Sequence, residues 1–241
     1  MSLDADRSPE AAAVSRFPPR PIRAVAFDLD GLIFNTEDVF EIVCHRLVEE
    51  RGERLTPEVR KQMMGRRAQE AYQVLRDVYG WDEPLESVVR RAKELFFEHL
   101  DGVLRPMPGL FTLLERLERL RLPKAVATSS NREHLCALLD RFDLLRRFDA
   151  TLAAEDVHEG KPHPEVYLKA AERLGVAPRN LLVLEDSEAG TNAGANAGAV
   201  TVAVPHRHSA GHDFHRADYI ARSLDDPVLL AGLEAVGLPE A

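Results

Sequence analysis

The run Ala24-Val25-Ala26-Phe27-Asp28-Leu29-Asp30-Gly31 sets four apolar residues directly before two carboxylates and a glycine. An apolar run of this length reads as a buried strand, and Gly31 permits a sharp departure where the strand ends. Asp28 and Asp30 stand two residues apart, so both leave the carboxyl end of the strand on the same side. Helix capping explains one aspartate at such a point but hardly two. Carboxylates spaced this way suit two jobs in phosphoryl transfer: one attacks phosphorus, and the other hands a proton to the leaving oxygen.

Four further apolar runs read as buried strands: Ala125 to Ala127, Ala150 to Ala153, Leu181 to Leu184 and Val200 to Val204. Helical patterns separate most of them. Gly109 to Leu122 carries Leu110, Leu113, Leu114, Leu117 and Leu120 at helical spacing, and Pro164 to Leu174 repeats the theme. Alternation of strand and helix predicts an α/β fold with a parallel sheet covered on both faces. From Thr36 to Arg105 the rhythm breaks, and only helical patterns occur, among them Val39 to Val48, Ala68 to Val78 and Leu85 to Leu100. The interval 36–105 reads as a helical cap inserted after the first strand, leaving 22–35 and 106–241 as the core. Pro106 and Pro108, with their fixed φ, suit the re-entry.

Other strand ends also carry polar groups. Thr128-Ser129-Ser130-Asn131 places a hydroxyl and backbone N–H groups at a helix start, a site suited to an oxyanion, although a helix cap is the ordinary reading of such residues. Lys161, between Gly160 and Pro162, is able to offer a point charge to phosphate, although most lysines are merely solvated. Glu185-Asp186-Ser187 follows the fourth strand, a second acidic pair at the same kind of position. Four carboxylates in one crevice need a reason, because like charges about 4 Å apart repel by roughly 4 kcal/mol per pair at an effective dielectric near 20. A divalent cation supplies it, and all-oxygen ligands favour Mg²⁺.

Composition bounds the rest. Of 241 residues, 45% are hydrophobic and 29% charged, ordinary globular usage. Lys plus Arg number 31 against 40 for Asp plus Glu, and the net charge of −9 argues against nucleic acid and anionic membrane as partners. Cys44 and Cys136 are too few and too far apart for a disulfide framework. Residues 1–21 read as a disordered lead-in without a signal-peptide core, no apolar run is long enough to span a bilayer, and a cytoplasmic protein with no obligate protein partner is expected. His206, His208, His212 and His215 read as a polar loop rather than a metal site, and Gly190, Gly194 and Gly198 as helix-to-sheet packing. No GxxxxGK[ST] string appears.

Taken together, Asp28-x-Asp30-Gly31, Thr128-Ser129, Lys161-Pro162 and Glu185-Asp186-Ser187 resemble the four ordered motifs of the haloacid dehalogenase superfamily. The likeness covers about residues 22 to 205 and extends to DLDGLIFNTE (Asp28 to Glu37), KPHPEVY (Lys161 to Tyr167) and LEDSEAG (Leu184 to Gly190). These strings resemble the branch containing β-phosphoglucomutase and small sugar-phosphate phosphatases. The resemblance implies a Rossmann-like core with an inserted helical cap. It also implies that Asp28 forms an aspartyl-phosphate and Asp30 is general acid then base, its carbonyl also reaching Mg²⁺. Thr128, the Ser129 amide and Lys161 would hold phosphate. Asp186 would ligate the metal alongside Asp28, with Glu185 a ligand or a partner through water. Asp30 favours phosphate esters, since dehalogenase members lack that residue.

Against the mutase pattern the chain departs at Phe40, where a cap histidine is expected twelve residues after the nucleophile, and the cap arginine falls near Ala68. Arg66 and Arg67 stand beside it as candidate substrate grips. The expected activity is therefore Mg²⁺-dependent hydrolysis of a small phosphorylated metabolite, ahead of phosphomutase chemistry. A catalytically silent binding module is disfavoured because the motif set is intact.

Overall fold

The structure, a computed structural model, describes residues 17, 20–63 and 68–236. Six strands form one parallel sheet: β1 (Ala24–Phe27), β2 (Lys124–Ala127), β3 (Ala150–Leu152), β4 (Leu181–Glu185), β5 (Val200–Ala203) and β6 (Tyr219–Ile220). Their order is β3-β2-β1-β4-β5-β6. Helices α1 (Thr36–Glu49), α2 (Pro57–Met63), α3 (Ala68–Tyr79) and α4 (Leu85–His99) follow β1. They are followed by α5 (Leu110–Arg119), α6 (Arg132–Arg141), α7 (Glu165–Arg173), α8 (Glu188–Asn196) and α9 (Pro227–Val236).

Strands β1, β2, β4 and β5 are buried at every position, as strands covered on both faces are. Register aligns their ends: Phe27 faces Val126 on one side and Leu184 on the other. The ladder runs one rung further, with Asp28 N–H donating to Leu184 O at 3.0 Å and Thr128 N–H to Leu152 O at 3.0 Å. Asp28 and Thr128 are thereby fixed by backbone before their side chains do anything. The chain steps outward in opposite directions from β1 and β4, so the crevice at their carboxyl ends is the switch point where ligands bind in open α/β sheets.

One sheet face presents Ala24, Ala26, Ala125 and Ala127 to Val166, Tyr167, Ala170 and Ala171 of α7 and Ala193 of α8. Small side chains on both surfaces let the helices close down on the sheet. Gly194 belongs to this packing, since a Cβ there would lie 2.6 Å from Thr201 Oγ1 and 3.0 Å from Val183 Cγ1. Most of the expected lead-in, 1–21, lies outside the described residues, but its last part is anchored rather than loose. Phe17 is buried with its ring edge-on to Tyr219, and Pro21 O accepts Asn180 Nδ2–H at 2.7 Å.

The chain forms two compact units, Asn35–Arg105 and the remainder. In the helical unit, α1 buries Val39, Val43, Cys44, Leu47 and Val48, and packs on α4, which buries Val88, Ala92 and Leu95. Arg51 lies over the Trp81 ring at 4.2 Å and donates to Glu83 at 2.6 Å. Its two chain ends meet: Asn35 N–H donates to Arg105 O at 3.1 Å, and Arg105 N–H to Asn35 Oδ1 at 2.6 Å. On the sheet side, Met107 N–H donates to Ile33 O at 2.8 Å. Among the described residues no helix is long and apolar enough to cross a membrane.

Candidate active site at the carboxyl ends of the strands

Asp28 directly follows β1 in a buried position and forms an ion pair with Lys161, which arrives from the loop between β3 and α7. Lys161 Nζ also donates to Glu185 Oε1 at 2.6 Å and to Ala127 O at 3.0 Å, so its three hydrogens have three acceptors. Burial alone lowers an ammonium pKa, but Asp28 and Glu185 outweigh it and hold Lys161 well above its ordinary range. Burial pushes the Asp28 carboxyl well up; Lys161 pulls it back, while Glu185, Asp186 and Asp30 push it further.

Glu185, the last residue of β4, has no solvent exposure. Its Oε1 accepts from Lys161 and from the Tyr167 hydroxyl at 2.6 Å, and its Oε2 from the Ser187 hydroxyl at 2.9 Å and the Ser187 N–H at 3.2 Å. Gly190, one turn into α8, makes this possible, because a Cβ there would overlap Glu185 Oε1 and Cδ outright. The glycines at 190, 194 and 198 thus serve three ends: Gly190 clears the Glu185 carboxylate, Gly194 closes helix on sheet, and Gly198, at φ +75°, turns the chain beyond α8.

Asp30 stands just before a tight turn in which Gly31 adopts φ +82° and its N–H donates to Phe34 O at 2.8 Å. Its Oδ2 accepts from the Ser130 hydroxyl at 2.7 Å and the Thr128 hydroxyl at 3.3 Å, and its Oδ1 lies 2.9 Å from His134 Nε2. Asn131 caps α6, its side chain accepting the His134 backbone N–H at 2.8 Å. Ser129 is solvent-exposed at the head of the same loop.

Asp186 is buried beside Glu185, and its Oδ2 lies 2.9 Å from His206 Nε2. A Cβ on residue 31 would come within 2.9 Å of Asp186 Cγ and 2.8 Å of His206 Nε2, a second reason for glycine there. Asp28, Glu185 and Asp186 each offer one oxygen, all within 4.8 Å of one another. Asp28 and Glu185 pair with the one buried ammonium of Lys161, and Asp186 beside them adds a third carboxylate to the same poorly solvated place. A hard divalent cation on oxygen ligands fits this donor set. Asp186 and Asp28 suit it best, since both Glu185 oxygens already carry two hydrogen bonds each.

Asp28, Asp30, Thr128, Lys161, Glu185 and Asp186 therefore gather around one crevice, while Arg66 and Arg67 lie outside the described residues. Sequence reasoning missed Ser130, His134, Tyr167 and His206. Ser130 and His134 carried a signal, being the second residue after Thr128 and the third residue of a helix capped by Asn131. His206, read as part of a polar loop, is drawn to Asp186, whereas His215 pairs with Asp213 at 2.8 Å.

A doubly wound parallel sheet with an acidic, lysine-bearing crevice at its switch point defines an α/β enzyme of the phosphoryl-handling kind. The chain belongs to the haloacid dehalogenase-like hydrolases, whose family model matches residues 25–204, and it is an enzyme of the phosphoric monoester hydrolase type. It is 32% identical over 177 residues, 73% of this chain and 82% of the relative, to a phosphorylated carbohydrates phosphatase of Thermotoga maritima. Among solved structures it is similar to a candidate β-phosphoglucomutase from Thermotoga maritima, at 28% identity and TM-score 0.76 over 89% of this chain and 99% of the other. It is also similar to CbbY from Rhodobacter sphaeroides in complex with phosphate, at 25% identity and TM-score 0.72 over 88% and 99% of the two chains.

Proposed function

We propose that the protein hydrolyses a small phosphate monoester, a sugar phosphate or similar metabolite, through an aspartyl-phosphate on Asp28, with Mg²⁺ as cofactor. The observation that carries this reading is the buried Asp28–Lys161 pair at the carboxyl end of β1, with Asp30 two residues on. The carbohydrate-phosphate relative supports the substrate class.

Asp28 attacks phosphorus while Lys161, a fixed cation, orients the transferred group and offsets its charge. Thr128 and the Ser129 amide contribute donors from the loop before α6. Asp30 protonates the leaving oxygen, then takes a proton from the water that cleaves the aspartyl-phosphate. Glu185 holds Lys161 in place. Bound through Asp28, Asp186 and the Asp30 carbonyl, Mg²⁺ would neutralise negative charge on the transferring group. We assign the helical unit to reading the non-reacting part of the substrate, with Arg66 or Arg67 as its grip.

The test is Mg²⁺-dependent phosphate release from a panel of phosphorylated metabolites, with Asp28→Asn and Asp30→Asn alongside. Asp28→Asn should be inactive on every substrate. Asp30→Asn should lose far more rate on alkyl phosphates than on p-nitrophenyl phosphate, whose leaving group needs a proton least. Equal losses for both variants on both kinds of ester would refute the division of roles. The likeness to a candidate β-phosphoglucomutase favours mutase chemistry as the second reading. Phe40, in place of the cap histidine, argues against it, and conversion of β-glucose 1-phosphate to glucose 6-phosphate with a bisphosphate primer would reverse the preference.

A further inference from the structure

We propose that His134 is a positioning residue for proton transfer at Asp30. The inference rests on the assignment of Asp30 as acid and base made above, and goes beyond it. His134 occupies the first turn of α6, where Asn131 Oδ1 accepts its backbone N–H at 2.8 Å and so fixes the start of the helix. From that turn Nε2 stands 2.9 Å from Asp30 Oδ1. The other oxygen, Oδ2, is held separately by the Ser130 hydroxyl at 2.7 Å and the Thr128 hydroxyl at 3.3 Å. Hydroxyls from the loop after β2 hold one edge of the carboxyl group, and the imidazole holds the other.

This arrangement answers a demand of the chemistry. In the first step an Asp28 oxygen bonds to phosphorus, the bond from phosphorus to the leaving oxygen breaks, and the Asp30 proton passes to that oxygen. In the second, a water oxygen bonds to phosphorus, its proton passes to the Asp30 carboxylate, and the bond between phosphorus and Asp28 breaks, releasing phosphate. One carboxyl group must serve both steps from one place, and small errors in its orientation are costly in rate. The terminal torsion of an aspartate is broad, so contacts at both oxygens are needed to set its plane. His134 neither gains nor loses a proton over the cycle; it keeps the Asp30 plane from turning about the Oδ2 anchor.

The experiment compares full-length wild-type protein with His134→Ala, His134→Gln and Asp30→Asn, measuring kcat and KM on the best alkyl monoester and on p-nitrophenyl phosphate. His134→Ala should lower kcat on the alkyl ester about tenfold, a part of the total general-acid contribution of about 10²–10⁴-fold. On p-nitrophenyl phosphate its loss should be less than about threefold, with KM nearly unchanged on both. His134→Gln, whose side-chain amide keeps a polar N–H at similar reach, should recover most of the alkyl-ester rate. Thermal melts report whether each variant folds. If Asp30→Asn shows the leaving-group split and His134→Ala shows equal losses or none, the inference is overturned and the Asp30 assignment stands. If Asp30→Asn itself shows no split, both fall together. If the alanine variant fails to fold, a folded glutamine variant that does not recover the alkyl-ester rate overturns the inference.

Discussion

Gly190→Ala separates two accounts of one glycine by the sign of its effect. Were Gly190 an ordinary helical glycine, alanine would add about 1 kcal/mol of stability from helix propensity. The structure demands the opposite. The new methyl would occupy the place of Glu185 Oε1 and Cδ, and β4 holds that side chain where it has no solvent exposure. To make room, the carboxylate must leave the Lys161 ammonium and the Tyr167 hydroxyl, both at 2.6 Å, and the Ser187 hydroxyl at 2.9 Å. Breaking a buried ion pair by displacing one partner costs about 3–5 kcal/mol, so after the propensity gain a net loss of about 2–4 kcal/mol is expected. For a chain of this size that is a fall in Tm of about 10 °C. Turnover should fall as well, since Lys161 would lose the group that aims it. Scanning calorimetry and steady-state kinetics check both, with Gly194→Ala as a comparison whose Cβ meets Thr201 Oγ1 at 2.6 Å. A Gly190→Ala protein melting at or above wild type with full activity would refute the reasoning.

Excess EDTA should abolish turnover, Mg²⁺ should restore it, and Ca²⁺, which prefers more ligands, should inhibit. Full activity in chelator with no metal by elemental analysis would count against the cation. Arg66→Ala or Arg67→Ala should raise KM for the best substrate about tenfold with kcat less affected, as loss of a charged grip does; unchanged KM in both excludes them. Asp156 accepts from Ala153 N–H and Arg173, both at 2.8 Å, and pairs with Arg132; although burial opposes it, these contacts hold its pKa below the ordinary value. A depressed carboxylate lends stability above its unfolded pKa and loses it as pH falls through the folded one. Asp156→Asn should therefore show a shallower fall in Tm from about pH 5 to about pH 3 than wild type, and parallel curves would contradict this.

The sheet was legible because the central strands are short, mainly apolar runs without polar alternation, the pattern expected of strands buried on both faces. Strand β6 was not, being two residues long after the polar Arg216-Ala217-Asp218, and α2 was hidden in the short, charged stretch Pro57–Met63. Groups at strand ends could be read as a set because topology alone brings those ends together. What escaped reading arises from turns that fold back. His134 reaches Asp30 only because a capped helix start points it there, and His206 reaches Asp186 across twenty residues of chain. Gly190 was rightly set apart from a membrane motif, yet its specific task depends on a carboxylate five residues earlier turning inward, which no local pattern discloses.

Asn35 and Arg105 join the two ends of the helical unit through a reciprocal pair of hydrogen bonds, and Ile33 and Met107 join the neighbouring chain by a third. An insert whose ends touch asks nothing of the sheet that carries it. It can lengthen, shorten or be exchanged while β1 still delivers Asp28 and Asp30 to the same spot, because the strand senses only that the chain departs and returns at one place. Under the proposed assignment of the helical unit to the non-reacting part of the substrate, chemistry and selectivity stand on separate stretches of chain, free to vary on separate schedules. A lineage built on such a seam can acquire new substrates without having to reinvent the reaction.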